Sequence, residues 1–107
     1  MKEEDFDERV KEIMEKLNQL HEDSKKTVGF VLLCGYDDGK EPGGNVNFRI
    51  AGGGDVTLLA LMMYAAAKDD EKYSMIFNAA IRLREEKKSE ELIPLKLRPT
   101  IDRFFDK

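Results

Sequence analysis

The sequence contains one cysteine and one histidine, and this scarcity excludes several kinds of site. Cys34 has no second cysteine with which to form an intramolecular disulfide, and it lies within an apolar run. A free thiol in apolar surroundings is typical of proteins from a reducing compartment. His21 has no cysteine or histidine at the spacing of a zinc site, so we predict that the chain holds no metal.

Long apolar segments are missing as well. The longest uncharged stretch after the glycine run covers residues 56–67, which is twelve residues. A membrane-spanning helix needs about 17–25 residues, so we expect no membrane partner. Residues 2–5 are charged and do not resemble the apolar region of a secretory signal. We therefore expect a cytoplasmic protein.

Clusters of basic residues, which a groove needs in order to follow nucleic-acid phosphates, are also missing. The chain has 18 basic and 22 acidic residues, and nine of the acidic ones lie within residues 1–26. The nearest basic candidate, residues 82–88, is diluted by Glu85 and Glu86. We expect no nucleic-acid partner.

A chain of 107 residues is expected to form one domain. At this mass, folding buries about two thirds of the surface that the unfolded chain exposes, which allows a hydrophobic core without disulfides. The composition, 41% hydrophobic and 37% charged, is that of a globular protein with a polar exterior. We therefore treat residues 1–107 as a single domain and expect fraying at residues 1–4 and 106–107.

Residues 5–23 have the clearest helical pattern in the sequence. Apolar side chains recur at intervals of three and four residues, and the opposite face is charged. Acidic residues in the first turn favour the helix dipole. The pattern predicts an N-terminal amphipathic helix whose apolar face contains Phe6, Val10, Ile13, Met14, Leu17 and Leu20.

Two segments that follow have the pattern of strands. Residues 27–36 are apolar on both faces, and residues 45–51 alternate between apolar and polar side chains. Residues 37–44 between them are rich in turn-forming residues, which predicts an antiparallel hairpin with a mobile tip. The side chains of the second strand that we expect to point inward are Val46, Phe48 and Ile50.

Asp55 is placed to cap a helix over residues 56–67, and this helix is apolar nearly all round. We expect it to be the central buried element. Its residues 61–64 could line a groove, because methionine adapts to several partners, but the all-round pattern favours core packing.

The polar residues 68–71 break the apolar pattern and predict a third helix over about residues 71–87. One continuous bent helix over residues 56–87 is the alternative, because neither glycine nor proline marks the junction. The predicted inward stripe of the third helix contains Tyr73, Ile76, Phe77, Ala80 and Leu83.

The tail is predicted to pack against the rest of the domain. Pro94 and Pro99 bracket an alternating segment that indicates either an extended piece or a short edge strand. Thr100 is placed to cap a terminal helical turn. That turn would present Ile101, Phe104 and Phe105.

These elements predict a single α+β domain with an antiparallel hairpin, or a three-stranded sheet if residues 95–97 join it. We expect the helices of residues 56–87 to cover the sheet. An isolated two-stranded sheet is marginal in water, and its second face needs further packing. Association about a two-fold axis is the simplest way to provide it. The candidate interaction residues are Val31, Leu33, Leu95, Leu97, Phe104 and Phe105.

The run of three glycines before Asp55 is the candidate ligand site. A strand, a glycine loop and a helix N-terminus can present backbone N–H groups to an anion. However, Thr57 stands where a dinucleotide-binding motif needs glycine, and the ending of a P-loop is missing. A flexible turn is therefore favoured. The ligand-loop alternative would use Gly52, Gly53, Gly54, Asp55 and Val56.

No arrangement of residues predicts catalysis or a cofactor. Cys34 has no readable base partner, and we expect a structural role for His21, which lies near the C-terminus of the first helix where an imidazolium favours the dipole. We therefore expect a small non-enzymatic interaction protein (an adaptor, inhibitor or accessory factor) that acts as a homodimer or binds another protein. The alternative function is the binding of a small anionic ligand or nucleotide at Gly52–Gly54. An enzymatic function would require association of chains to assemble a site that one chain does not contain.

Overall fold

The computed structural model describes residues 1–40, 43–86 and 95–105, which form three helices and one three-stranded sheet. This arrangement confirms the predicted α+β class. In chain order the elements are α1 (Glu3–Asp23), β1 (Phe30–Asp37), β2 (Gly44–Gly54), α2 (Val56–Asp69), α3 (Glu71–Glu85) and β3 (Leu95–Phe105).

The sheet is mixed, with β2 at its centre. β1 pairs antiparallel to β2, as predicted, and Phe30 lies opposite Gly53. β3 pairs parallel to β2, beginning with Leu95 opposite Gly44. The predicted terminal helical turn at Thr100 is therefore wrong, because the strand continues through that residue. Pro99 is compatible with β3 because an edge strand can lack an outward-facing N–H group.

One face of the sheet packs against α1. The helix buries Phe6, Val10, Met14 and His21. The core below it consists of Met14, Phe30 and Ala51, with Leu17, Leu32 and Phe104 packed around them. The ring centroids of Phe30 and Phe104 are 6.3 Å apart. This cluster joins the helix to all three strands.

The orientation of β2 differs from the prediction. Its polar side faces α1, where Nδ2 of Asn47 donates to Oε1 of Glu3 at 3.2 Å and to Oδ1 of Asp7 at 3.0 Å. The first two turns of α1 supply these carboxylate acceptors. The polar side chain of Asn47 is therefore hydrogen-bonded where β2 packs under the helix. Because side chains alternate along a strand, the apolar residues of β2 lie on the other face. They are Val46, Phe48 and Ile50.

Two separate helices, α2 and α3, follow β2. The prediction of two helices is therefore confirmed, and the alternative of one continuous helix is wrong. Asp70 separates them with an extended backbone (φ −134°, ψ 124°). Its Oδ1 accepts hydrogen bonds from the N–H groups of Lys72 and Tyr73 at 2.9 and 3.1 Å. The predicted cap of α2 is also present, since Asp55 accepts from the N–H of Leu58 at 3.2 Å.

Burial in the α2–α3 pair, which we call the helical hairpin, is much lower than predicted. α2 buries only Leu59, and α3 buries no residue. Tyr73, Ile76 and Leu83, which were expected to point inward, are 52%, 57% and 49% exposed. The prediction that these helices cover the sheet and that α2 is the central element is therefore wrong. The covered face of the sheet is occupied by α1.

Candidate functional site

The face of the sheet turned away from α1, which we call the open face, is predominantly apolar. Val46 is buried there, whereas Leu33, Ile101 and Phe105 are 63%, 53% and 46% exposed. A sheet with apolar side chains on both faces is normally packed on both. In the described part of the chain, α1 packs only on the opposite face. The apolar side chains on the open face are Val31, Leu33, Val46, Phe48, Ile50, Leu97, Pro99, Ile101 and Phe105.

The helical hairpin carries a second exposed apolar surface. Residues 61–64, which were expected to pack in the core, are 41–63% exposed, so that expectation is wrong. Met75, Ile76 and Ile81 of α3 are exposed by more than half. Sequence reasoning missed this surface because it assigned an all-round apolar helix to the core of its own chain. The same pattern is equally compatible with a helix that is buried by a partner.

Two of the cavities on this surface are lined by residues of both α2 and α3. One, of about 310 Å³, lies between the two helices and is lined by Met63, Tyr64, Ala67, Phe77, Ala80 and Ile81. The other, of about 370 Å³, lies where the hairpin approaches Val31 of the open face. Apart from the hydroxyl groups of Tyr64 and Tyr73, the side chains that line these cavities are apolar and can accept apolar groups.

The structure brings together four of the six residues predicted to form an interaction surface. Val31, Leu33, Leu97 and Phe105 share the open face. Phe104 lies on the opposite face and packs against the core under α1. Leu95 begins β3, and its side chain is outside the described residues.

The glycines of the predicted ligand loop lie within β2, so the expectation that they end the strand is wrong. Gly52 and Gly53 have partners on both β1 and β3, which places their backbone groups in the sheet ladders. Gly54 has φ +106°, a conformation that favours glycine. Asp55 is used as the cap of α2, and Val56 is exposed in its first turn. The glycines thus accommodate close packing rather than forming a loop.

His21 is 1% exposed and has a structural contact. Its Nδ1 lies 2.6 Å from the carbonyl oxygen of Val28, and because a carbonyl only accepts, Nδ1–H is the donor. The bond ties the end of α1 to the segment that enters β1. Cys34 is a half-buried free thiol on β1. Within the described residues, no group of three His, Cys, Asp or Glu side chains could hold a metal ion.

The tip between β1 and β2 is organised by Asp38. Its Oδ2 accepts from the N–H of Asn45, and its Oδ1 accepts from the N–H of Lys40, both at 2.9 Å. Both bonds favour the carboxylate and therefore hold the pKa of Asp38 below its ordinary value. The bond from Asn45 has the larger effect. Residues 41–42 of the predicted mobile tip lie outside the described residues. The same holds for residues 106–107, where fraying was predicted.

No helix in the described ranges has both the length and the apolar character needed to cross a membrane. No family model, no curated protein and no solved structure matches the chain.

Proposed function

We propose that this chain is a small non-enzymatic interaction protein, of the adaptor, inhibitor or accessory type, that acts as a homodimer in the cytoplasm. The observation that carries the proposal is the apolar surface left uncovered on the open face and the helical hairpin. Three side chains that could carry chemistry have structural uses instead. His21 bonds to Val28, and Asp55 and Asp70 cap helices.

The size of the exposed surface supports association. The chain has an accessible surface of 8570 Å², whereas a folded monomer of this mass has roughly 6,100 Å². Its radius of gyration is 15.6 Å, against about 13 Å for a compact domain of this length. A standard interface buries about 800 Å² on each partner, so the excess surface is large enough for one.

The distribution of charge favours a second copy of the same chain as the partner. The net charge is −4, and nine acidic residues lie within residues 1–26. Residues 3–23 form α1, on the face of the sheet opposite the open face. Two copies that meet through their apolar surfaces would therefore keep their acidic segments apart, and like-charge repulsion would be screened by salt.

Light scattering coupled to size-exclusion chromatography tests the proposal on the full chain. At micromolar concentration we expect a mass twice that of the 12.3 kDa chain. The dimer should persist in high salt, because apolar contacts are not screened. A monomer over the whole concentration range would contradict the proposal.

A matched pair of variants locates the surface. Leu33→Glu places a charge on the open face, where Leu33 is 63% exposed. We expect this variant to be a folded monomer, since burying the carboxylate in an interface is costly. Leu20→Glu makes the same chemical change on α1, where Leu20 is 50% exposed, and should remain a dimer. Equal behaviour of the two variants would exclude the open face as the interface.

A further inference from the structure

The two uncovered surfaces of this chain match one another in size, which deepens the proposal of a homodimer and rests on it. α2 and α3 contain 14 and 15 residues, so each is roughly 22 Å long at 1.5 Å per residue. Packed helices lie about 8–10 Å apart. The outer strands of a three-stranded sheet are separated by a similar distance, about 10 Å. A two-helix layer therefore fits the open face.

Within one chain, the helical hairpin reaches only one end of the open face. Val31 lines the cavity of about 370 Å³ together with Leu59, Met62 and Phe77. Leu33, the next residue on the same side of β1, is already 63% exposed. On β3, Leu97 and Ile101 are 43% and 53% exposed. Among the described residues, these exposed side chains of the face do not line the cavity that the helices form with Val31.

The connection between β2 and α2 limits how far the hairpin can fold onto its own sheet. Only Asp55 separates the two elements, and its side chain is used as the cap of α2. The preceding residue, Gly54, packs so closely on Gly29 that a Cβ at position 54 would lie 2.7 Å from the Gly29 Cα. The hairpin is therefore joined to the sheet through a single residue, next to a point where β2 packs closely on the segment that enters β1.

We infer that two chains form a two-fold dimer in which the helical hairpin of each chain packs on the open face of the other. The groove between α2 and α3, lined by Met63, Tyr64 and Ile81 among others, would receive apolar side chains such as Leu33 and Ile101 from the partner. The arrangement closes as a dimer because the two contacts are reciprocal between the same two chains, whereas the same contact made with successive chains would give a ring or a filament. Contacts of sheet with sheet, or of hairpin with hairpin, would leave one apolar surface of each chain exposed.

Disulfide trapping distinguishes these arrangements. In a Cys34→Ser background, Leu33→Cys and Ile81→Cys are made as two separate single-cysteine chains, one of them lengthened by a tag. Both positions are exposed, at 63% and 53%, so the substitutions should leave the fold intact. Mixing the chains under mild oxidation should give the mixed disulfide as the main product. Leu20→Cys on α1 is the matched control and should not be trapped with either chain.

Each disulfide product identifies one arrangement. Trapping of Leu33→Cys chains with one another would indicate packing of sheet on sheet, and trapping of Ile81→Cys chains with one another would indicate packing of hairpin on hairpin. Either result in a confirmed dimer overturns the inference but leaves the homodimer standing. A wild-type monomer overturns both. The pair Ile101→Cys and Tyr64→Cys repeats the test, so that poor folding of one variant does not decide it.

Discussion

The ring of Phe30 fills the space above Gly53: a Cβ at position 53 would lie 2.7 Å from Cε1 of Phe30 and 2.9 Å from the carbonyl oxygen of Phe104. Phe30 is 5% exposed and belongs to the core. The glycine is therefore required by packing on two sides. It is not needed here for backbone flexibility.

This contact predicts different effects for two neighbouring substitutions. Gly53→Ala should lower the free energy of unfolding by about 1–3 kcal/mol, because neither the buried ring nor the backbone of β3 can move freely. Gly52→Ala is the control. A Cβ there would meet Cζ of Phe105 at 2.8 Å, but this is the far end of one side chain and no backbone atom lies as close, so the contact is more easily relieved. Urea denaturation should show the difference, and equal losses would contradict this account.

The bond between His21 and Val28 gives a second prediction. His21→Ala removes a fully buried ring and leaves the Val28 carbonyl without this donor, so we expect a loss of about 2–4 kcal/mol in the free energy of unfolding. Leu20→Ala, at a half-exposed position on the same helix, should cost less than about 1 kcal/mol. Chemical denaturation measures both. Similar losses would mean that the His21 contact does not stabilise the fold.

The contrast between strands and helices explains which parts of the fold could be predicted. The alternation along β1 predicts that Phe30 and Leu32 lie on one face of the sheet and that Val31 and Leu33 lie on the other, because the period of a strand is two residues. The break at Asp70 was readable from a local cluster of polar residues. Both predictions depend on neighbours in sequence, and both are confirmed.

The layer that packs on each face could not be predicted in the same way. α1 and the helical hairpin both offer apolar side chains, and nothing local says which of them packs on the sheet. The glycine run had the composition of a turn, but its place in β2 depends on Phe30 and Phe104, which are distant in sequence. The apolar residues Val31 and Leu33 were sufficient to indicate the open face as a candidate site. Phe104 was wrongly assigned to the interaction surface, because the sequence did not predict that β3 is a long strand.

The pKa of Asp38 gives a prediction about acid. Since its folded-state pKa is lowered, the carboxylate stabilises the tip at pH values above its ordinary value, and that contribution is lost as the pH falls through the lowered pKa. The amide proton shifts of Asn45 and Lys40, which donate to this carboxylate, should follow one titration with a midpoint below that of an ordinary aspartate. In Asp38→Asn this titration should disappear. A titration midpoint at the value of an ordinary aspartate would show that the N–H groups of Asn45 and Lys40 do not stabilise the Asp38 carboxylate.

The boundary between α2 and α3 gives a last prediction. Asp70→Ala removes the side chain that accepts from Lys72 and Tyr73, so α3 should lose about 1 kcal/mol of capping. Asp69→Ala is the matched control. Asp69 is the last residue of α2, where a negative charge opposes the helix dipole, so its removal should be neutral or slightly stabilising. Thermal unfolding followed by circular dichroism would compare them, and the reverse order would contradict the capping role.

The parallel pairing of β3 with β2 has a consequence for synthesis of the chain. α1, β1 and β2 can assemble from contacts between neighbouring elements, but β3 must wait until the crossover of residues 55–94 has been made. Closing so long a loop is slow, because its entropy is lost before the pairing is gained. During that interval the free edge of β2 offers unpaired backbone groups to other nascent chains. Aggregation through this edge should therefore be greatest during translation of the crossover and should fall once β3 has paired.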